Sequence, residues 1–85
     1  MIDINTKKEE LNKELLEIDK QIVDLLNQRA DICYDINQLK QEADESLYDP
    51  VEELDLQETL ESISDYNGMI NAIYPSIQKY GRSLI

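Results

Sequence analysis

Arg29 and Lys40 are the two side chains whose type and spacing most directly suggest chemistry. Arg29 interrupts an apolar run, with Leu25 four positions before it and Ile32 three after it. A guanidinium set among buried apolar groups is costly unless something pairs with it. Lys40 follows eleven positions later, and eleven steps of 100° return to within about 20° of the same helical face, roughly 16 Å further along the axis. Two long cationic side chains at that separation can converge on one groove, which suits an anion carrying one or more carboxylates. The residues alone leave two explanations of Arg29 open. One is structural, an acidic partner from another copy of the chain or a loosely packed part of the seam; the other is an anionic ligand. Lys40 by itself says less, because it stands near a helix end, where cations are favoured in any case.

These side chains need a rigid element to hold them. Leu11, Leu15, Ile18, Ile22, Leu25, Arg29, Ile32, Ile36 and Leu39 follow one another at alternating spacings of four and three, a heptad seam sustained over four repeats. Leu16, Val23, Leu26, Ala30 and Cys33 widen the apolar face, so the helix can meet more than one neighbour. With no Gly or Pro to break it, a first helix is predicted over residues 6–43. Such a helix is about 55 Å long, whereas a compact chain of this size has a radius of gyration of only about 12 Å. Its seam outruns what the remaining residues can cover, and a single 85-residue domain buries a modest share of its surface unaided. A second copy is the simplest cover, so a homodimer through the first helix is predicted.

Tyr48-Asp49-Pro50-Val51-Glu52 reads as a helix start. Asp49 is the N-cap, Pro50 takes the first helical position, and Glu52 takes the third, from which it can reach back to the cap. A second helix is predicted over residues 50–65, with Val51, Leu54, Leu56, Leu60 and Ile63 as its apolar positions. Tyr66-Asn67-Gly68 supplies a break, since Asn and Gly tolerate left-handed backbone. A third helix is predicted over residues 69–85, carrying Ile70, Ile73, Tyr74, Ile77 and Leu84, with Pro75 bending or loosening its first turns. The fold class is all-α: one domain spanning residues 1–85, three helices, an intertwined homodimer.

Charge narrows the function classes. The formal net charge is -11, and ten acidic residues with no basic one lie between Lys40 and Lys79. That balance excludes nucleic acid and anionic membrane surfaces as partners and gives a solvated acidic exterior. No apolar run approaches the roughly 20 residues a bilayer span requires, and no stretch has the pattern of a signal peptide. The one cysteine, Cys33, cannot form an internal disulfide, so a cytoplasmic setting is expected, with Cys33 as a buried structural thiol on the apolar stripe. The absence of histidine removes Ser-His and Cys-His nucleophile schemes and the usual zinc sites.

The run of residues 18–29, Ile-Asp-Lys-Gln-Ile-Val-Asp-Leu-Leu-Asn-Gln-Arg, then Ile36, Lys40, Tyr48-Asp49-Pro50 and Glu53, resembles the all-helical class of chorismate mutases. The likeness extends through Ile73-Tyr74 and Ser83-Leu84 and so covers nearly the whole chain, with the third helix the most weakly matched. It implies two first helices paired across a dyad and active sites that draw on both subunits. The activity implied is the rearrangement of chorismate to prephenate, on the way to aromatic amino acids, by a pericyclic step with no cofactor and no metal. Catalysis of such a step rests on holding the compact reactive shape and stabilising charge on the ether oxygen.

By the resemblance, Arg29 grips a substrate carboxylate, Lys40 reaches a carboxylate and the ether oxygen, and Asp49 and Glu53 stand near the ring hydroxyl. Four positions depart from the pattern. Asn12 and Glu52 stand where the family has arginines, the first donated across the dyad; Gly81 replaces a small hydroxyl residue, and Ile85 a glutamine that helps bind the ether oxygen. A lost charge-assisted contact costs about 1.5 to 3 kcal/mol, and a lost transition-state donor about 2.7 to 4 kcal/mol. A weakened enzyme is therefore expected, with Lys8 and Lys13 placed to replace part of what Asn12 lacks. Two other readings stay open: a catalytically inactive dimeric binding or regulatory module, and an isochorismate pyruvate lyase-like activity.

Overall fold

A computed structural model describes residues 3–85. They form three helices: α1 (Ile4–Glu42), α2 (Pro50–Glu61) and α3 (Met69–Arg82). Among the described residues there is no strand, so the all-α expectation holds. No helix among them is long and apolar enough to cross a membrane.

α1 starts two residues before the predicted point because Asp3 caps it. The Asp3 carboxylate accepts hydrogen bonds from the backbone N–H of Asn5 and Thr6 and from the Thr6 hydroxyl. The bond from the Thr6 hydroxyl, helped by the two backbone bonds, holds that carboxyl below its ordinary range. At the other end Glu45 N–H donates to the Lys40 carbonyl and Asp44 N–H to the Gln41 carbonyl. This pair of bonds is a Schellman stop, and it puts Asp44 in the left-handed region (φ 57°) where glycine is more usual.

α2 begins as the sequence indicates. Asp49 accepts from the N–H groups of Val51 and Glu52, both at 3.1 Å, with Pro50 at the first helical position. The predicted reach of Glu52 back to the cap is not made; its carboxylate lies 4.0 Å from Lys40 Nζ instead. The helix also ends at Glu61, four residues short of the expected point. The Ser64 hydroxyl there accepts from Tyr66 N–H and donates to the Tyr66 carbonyl, a local turn that competes with further helix. Gly68 then adopts φ 79°, as the Tyr-Asn-Gly break requires. α3 runs continuously through Pro75 and stops at Arg82, so Ser83, Leu84 and Ile85 lie beyond the helix that was expected to include them.

α3 packs against both α1 and α2. Its contact face is Ile70, Tyr74, Ile77, Gln78 and Gly81, at helical spacing. The interior is sparse: Ile70 is the one buried apolar side chain among the described residues, beside buried Asn37 and Gln78. Asn37 Nδ2 on α1 donates to the carbonyls of Gly81 (2.9 Å) and Leu84 (2.7 Å), closing the C-terminal end of α3. Gln78 Nε2 donates to the Glu53 carbonyl while its Oε1 accepts from Gln57, tying α3 to α2.

Every residue from 3 to 28 is exposed, so its own chain leaves α1 largely uncovered before Arg29, with Leu26 and Asn27 at the margin beside Ser76, Ile77 and Tyr80 of α3. Leu11, Leu15, Ile18, Ile22 and Leu25 lie bare along the free arm. The molecule extends 65 Å with a radius of gyration of 17.5 Å, against about 12 Å for a compact chain of this length.

The Asp49 cap yields a direct test. Asp49→Ala should lower stability by about 1 kcal/mol, because two helix-end N–H groups lose their acceptor. The urea midpoint at fixed protein concentration is the measurement, and an unchanged midpoint would show that the cap contributes nothing.

Candidate active site

The last four turns of α1, the start of α2 and the end of α3 line a groove of about 400 Å³. That volume lies within the ordinary range for small-molecule sites. The groove brings together six of the eight positions singled out from the sequence: Arg29, Lys40, Asp49, Glu52, Glu53 and Gly81. Asn12 is not among them. It stands on the free arm of α1, 28 residues before Lys40 and so about 42 Å away along the axis, beyond reach of its own groove. Ile85 is also outside, exposed past the end of α3.

Arg29 is half-buried, and among the described residues it has no acidic partner. Its Nη1 lies 3.4 Å from Cys33 Sγ, and its guanidinium stands 6.0 Å from the centre of the Tyr74 ring. Cys33, expected to be a buried thiol, is only partly covered and forms part of the groove wall. The reason is that α3 reaches α1 at Gly81, beside Cys33, and leaves the groove side of the thiol open.

Four of the other charges of the groove form two pairs, while the Asp49 carboxylate is spent on the N-terminus of α2. The Lys40 side chain is 19% exposed and lies 4.0 Å from Glu52, which is itself largely in solvent. Glu53 is held by Arg82, whose Nη1 donates to both carboxylate oxygens at 2.7 and 3.0 Å. Arg82 stacks over the Tyr48 ring with its guanidinium carbon 4.3 Å from the centroid. Sequence reasoning missed Arg82, Asn37 and Gln78. Arg82 had a faint signal, being one of two basic residues after Lys40, next to the already suspect Gly81. Asn37 and Gln78 had none, since their roles exist only once α3 is docked.

Gly81 has a steric explanation. A Cβ built there would sit 2.8 Å from Cys33 Sγ and 2.9 Å from Arg29 Nη1. Glycine inside a helix costs about 1 kcal/mol relative to alanine, and here it allows α3 to approach α1 closely and lets Arg29 lie across that junction. Any side chain at this position, a small hydroxyl residue included, pushes on the groove's one unmatched cation.

A family model described as chorismate mutase type II matches residues 11–83, which span all three helices except the first turns of α1. No curated protein matches the chain, and no solved structure does.

The close approach at Gly81 predicts that Gly81→Ala destabilises the fold by about 1 to 3 kcal/mol, the usual range for overpacking. Cys33→Ala made in the same chain should recover much of that loss, because it removes the 2.8 Å clash with Sγ and leaves Cys33 Cβ at 3.5 Å and the end of the flexible Arg29 side chain, at 2.9 Å, which can shift aside. Unfolding midpoints of the single and double variants check this; a double variant no better than the single one would contradict it.

Proposed function

Because this chain belongs to the chorismate mutase type II family, we propose that its groove binds chorismate and rearranges it to prephenate, at a rate below that of a fully furnished site. The observation that carries the reading is Arg29, a half-buried guanidinium facing a groove with no acidic partner among the described residues. A cation in that position is best explained by an anionic ligand.

In this proposal Arg29 grips one carboxylate of the substrate. Lys40, at the far end of the groove, serves a carboxylate and the ether oxygen. Asp49 and Glu53 stand by the ring hydroxyl. The step makes one C–C bond as the ether C–O bond breaks, within a single molecule, and needs no nucleophile or proton donor from the protein. The residues act by selecting the folded conformer and by placing fixed positive charge where the ether oxygen becomes negative.

The weakness follows from charge. Arg29, Lys40 and Arg82 are balanced by Asp49, Glu52 and Glu53, so the groove is formally neutral where a dianion is to bind. Glu52 in particular draws on Lys40, so an entering carboxylate must compete with it.

The proposed enzyme is a homodimer through α1. The chain exposes 7136 Å², about 1,900 Å² more than a compact domain of its mass. Two such excesses fall in the range of obligate dimer interfaces, roughly 2,000–5,000 Å². A partner arm laid along the groove also offers a means of bringing position 12 near a site that its own chain cannot reach. The working compartment proposed is the cytoplasm.

Two outcomes are expected. Replacing Ile22 and Leu25 together by Asp should abolish the dimer and the fold at once, read by sedimentation and helical circular dichroism; a well-folded helical monomer would refute the pairing. Restoring Asn12→Arg, Glu52→Arg and Ile85→Gln in one chain should raise chorismate turnover more than tenfold, since each regained contact is worth about 1 kcal/mol or more. A folded dimer that stays as inactive as its parent would favour the non-catalytic module instead.

A further inference from the structure

We propose that Arg82 is a carboxylate-binding residue of this groove, supplying from α3 a cation in place of those missing at Asn12 and Glu52; the proposal rests on the reading of the groove as a chorismate site. Arg82 lines the same groove as Arg29 and Lys40, and its side chain is 29% exposed. Its geometry is that of a residue held ready. Both oxygens of Glu53 are taken by the single nitrogen Nη1, and the face of the guanidinium rests on Tyr48. Among the described residues, Nη2 and Nε of Arg82 have no acceptor.

A guanidinium carries five N–H donors in a planar fork, and its outer edge matches the two oxygens of a carboxylate. Pinned on one nitrogen and stacked on one face, the Arg82 fork loses little further freedom when that edge takes a ligand. Glu53 need not be displaced. It remains on Nη1 while a ligand carboxylate binds the Nη2 and Nε edge, so one arginine fixes the acid that faces the ring hydroxyl and grips the substrate beside it. This arrangement also explains why a groove with three acids retains a use for Glu53: Arg82 offsets its charge without removing it as an acceptor.

The test uses the full chain with Arg82→Gln and Arg82→Lys. The readouts are chorismate kinetics, calorimetric binding of prephenate as a dicarboxylate probe, and unfolding midpoints as a control for folding. Arg82→Gln should raise KM and the prephenate Kd roughly tenfold or more, with a smaller change in kcat. Arg82→Lys keeps the charge and can still pair with Glu53 but has no planar fork, so it should recover only part of the affinity. In the unaltered chain, the Arg82 Nε–H resonance should shift as prephenate is added, a readout that holds even where a variant fails to fold. An unchanged KM and Kd in folded Arg82→Gln, full recovery by lysine, or a stationary Nε–H resonance would overturn the proposal. If turnover persists in any of those cases, the enzyme reading survives it. Prephenate binding that is weakened by Arg82→Gln, in a chain without turnover, would support Arg82 and reject catalysis; a chain that neither binds nor turns over would overturn both.

Discussion

A helix of 39 residues that its own chain covers only at one end sets the terms for everything else in this molecule. The heptad seam makes α1 long, and α2 and α3 are too short to follow it. They gather at its C-terminal third, where Ala30, Cys33 and Asn37 receive α3. What they build there is closed by hydrogen bonds more than by apolar packing, since Ile70 is the one buried apolar side chain among the described residues. A net hydrogen bond contributes only about 1 kcal/mol, so Asn37 and Gln78 orient α3 without supplying enough stability for an independent domain. The proposed second copy would provide what the interior lacks, by burying the faces of Leu11, Leu15, Ile18, Ile22 and Leu25.

The groove follows from the same arrangement. Because α3 meets α1 at a glycine, the helices come close enough for Arg29 to lie across their junction, yet α2 stands apart and leaves space between them. Charged groups line that space in near-matched pairs, Lys40 with Glu52 and Arg82 with Glu53. Such pairs in a partly exposed wall contribute little to stability. Their significance is for ligands: an anion entering the groove meets one free guanidinium and two cations already engaged.

What was legible in the sequence was what is local or strictly periodic. The helical run of α1, the Asp49 cap with Pro50 at the start of α2 and the left-handed Gly68 depend on a few neighbouring residues, and each forms as read. The early end of α2 was not legible, because it turns on the Ser64 hydroxyl bonding Tyr66 in place of another helical turn. The C-terminal end of α3 depends on Asn37, which lies 44 residues away from the Gly81 carbonyl it binds. Gly81 illustrates the difference most clearly. From sequence it was a missing hydroxyl; in space it is the point at which two helices touch. Arg82 remained hidden because nothing in its own neighbourhood reveals that Glu53 and Tyr48 will close around it.

Whether the unmatched charge of Arg29 marks a site for chorismate is tested by following the loss of chorismate absorbance with purified protein at micromolar concentration. Parallel runs would use protein-free buffer and Arg29→Ala. A slow loss is expected whose rate rises in proportion to protein and returns to the buffer rate in the Arg29→Ala chain. A rate equal to that of buffer at every protein concentration, from a folded chain, would contradict it.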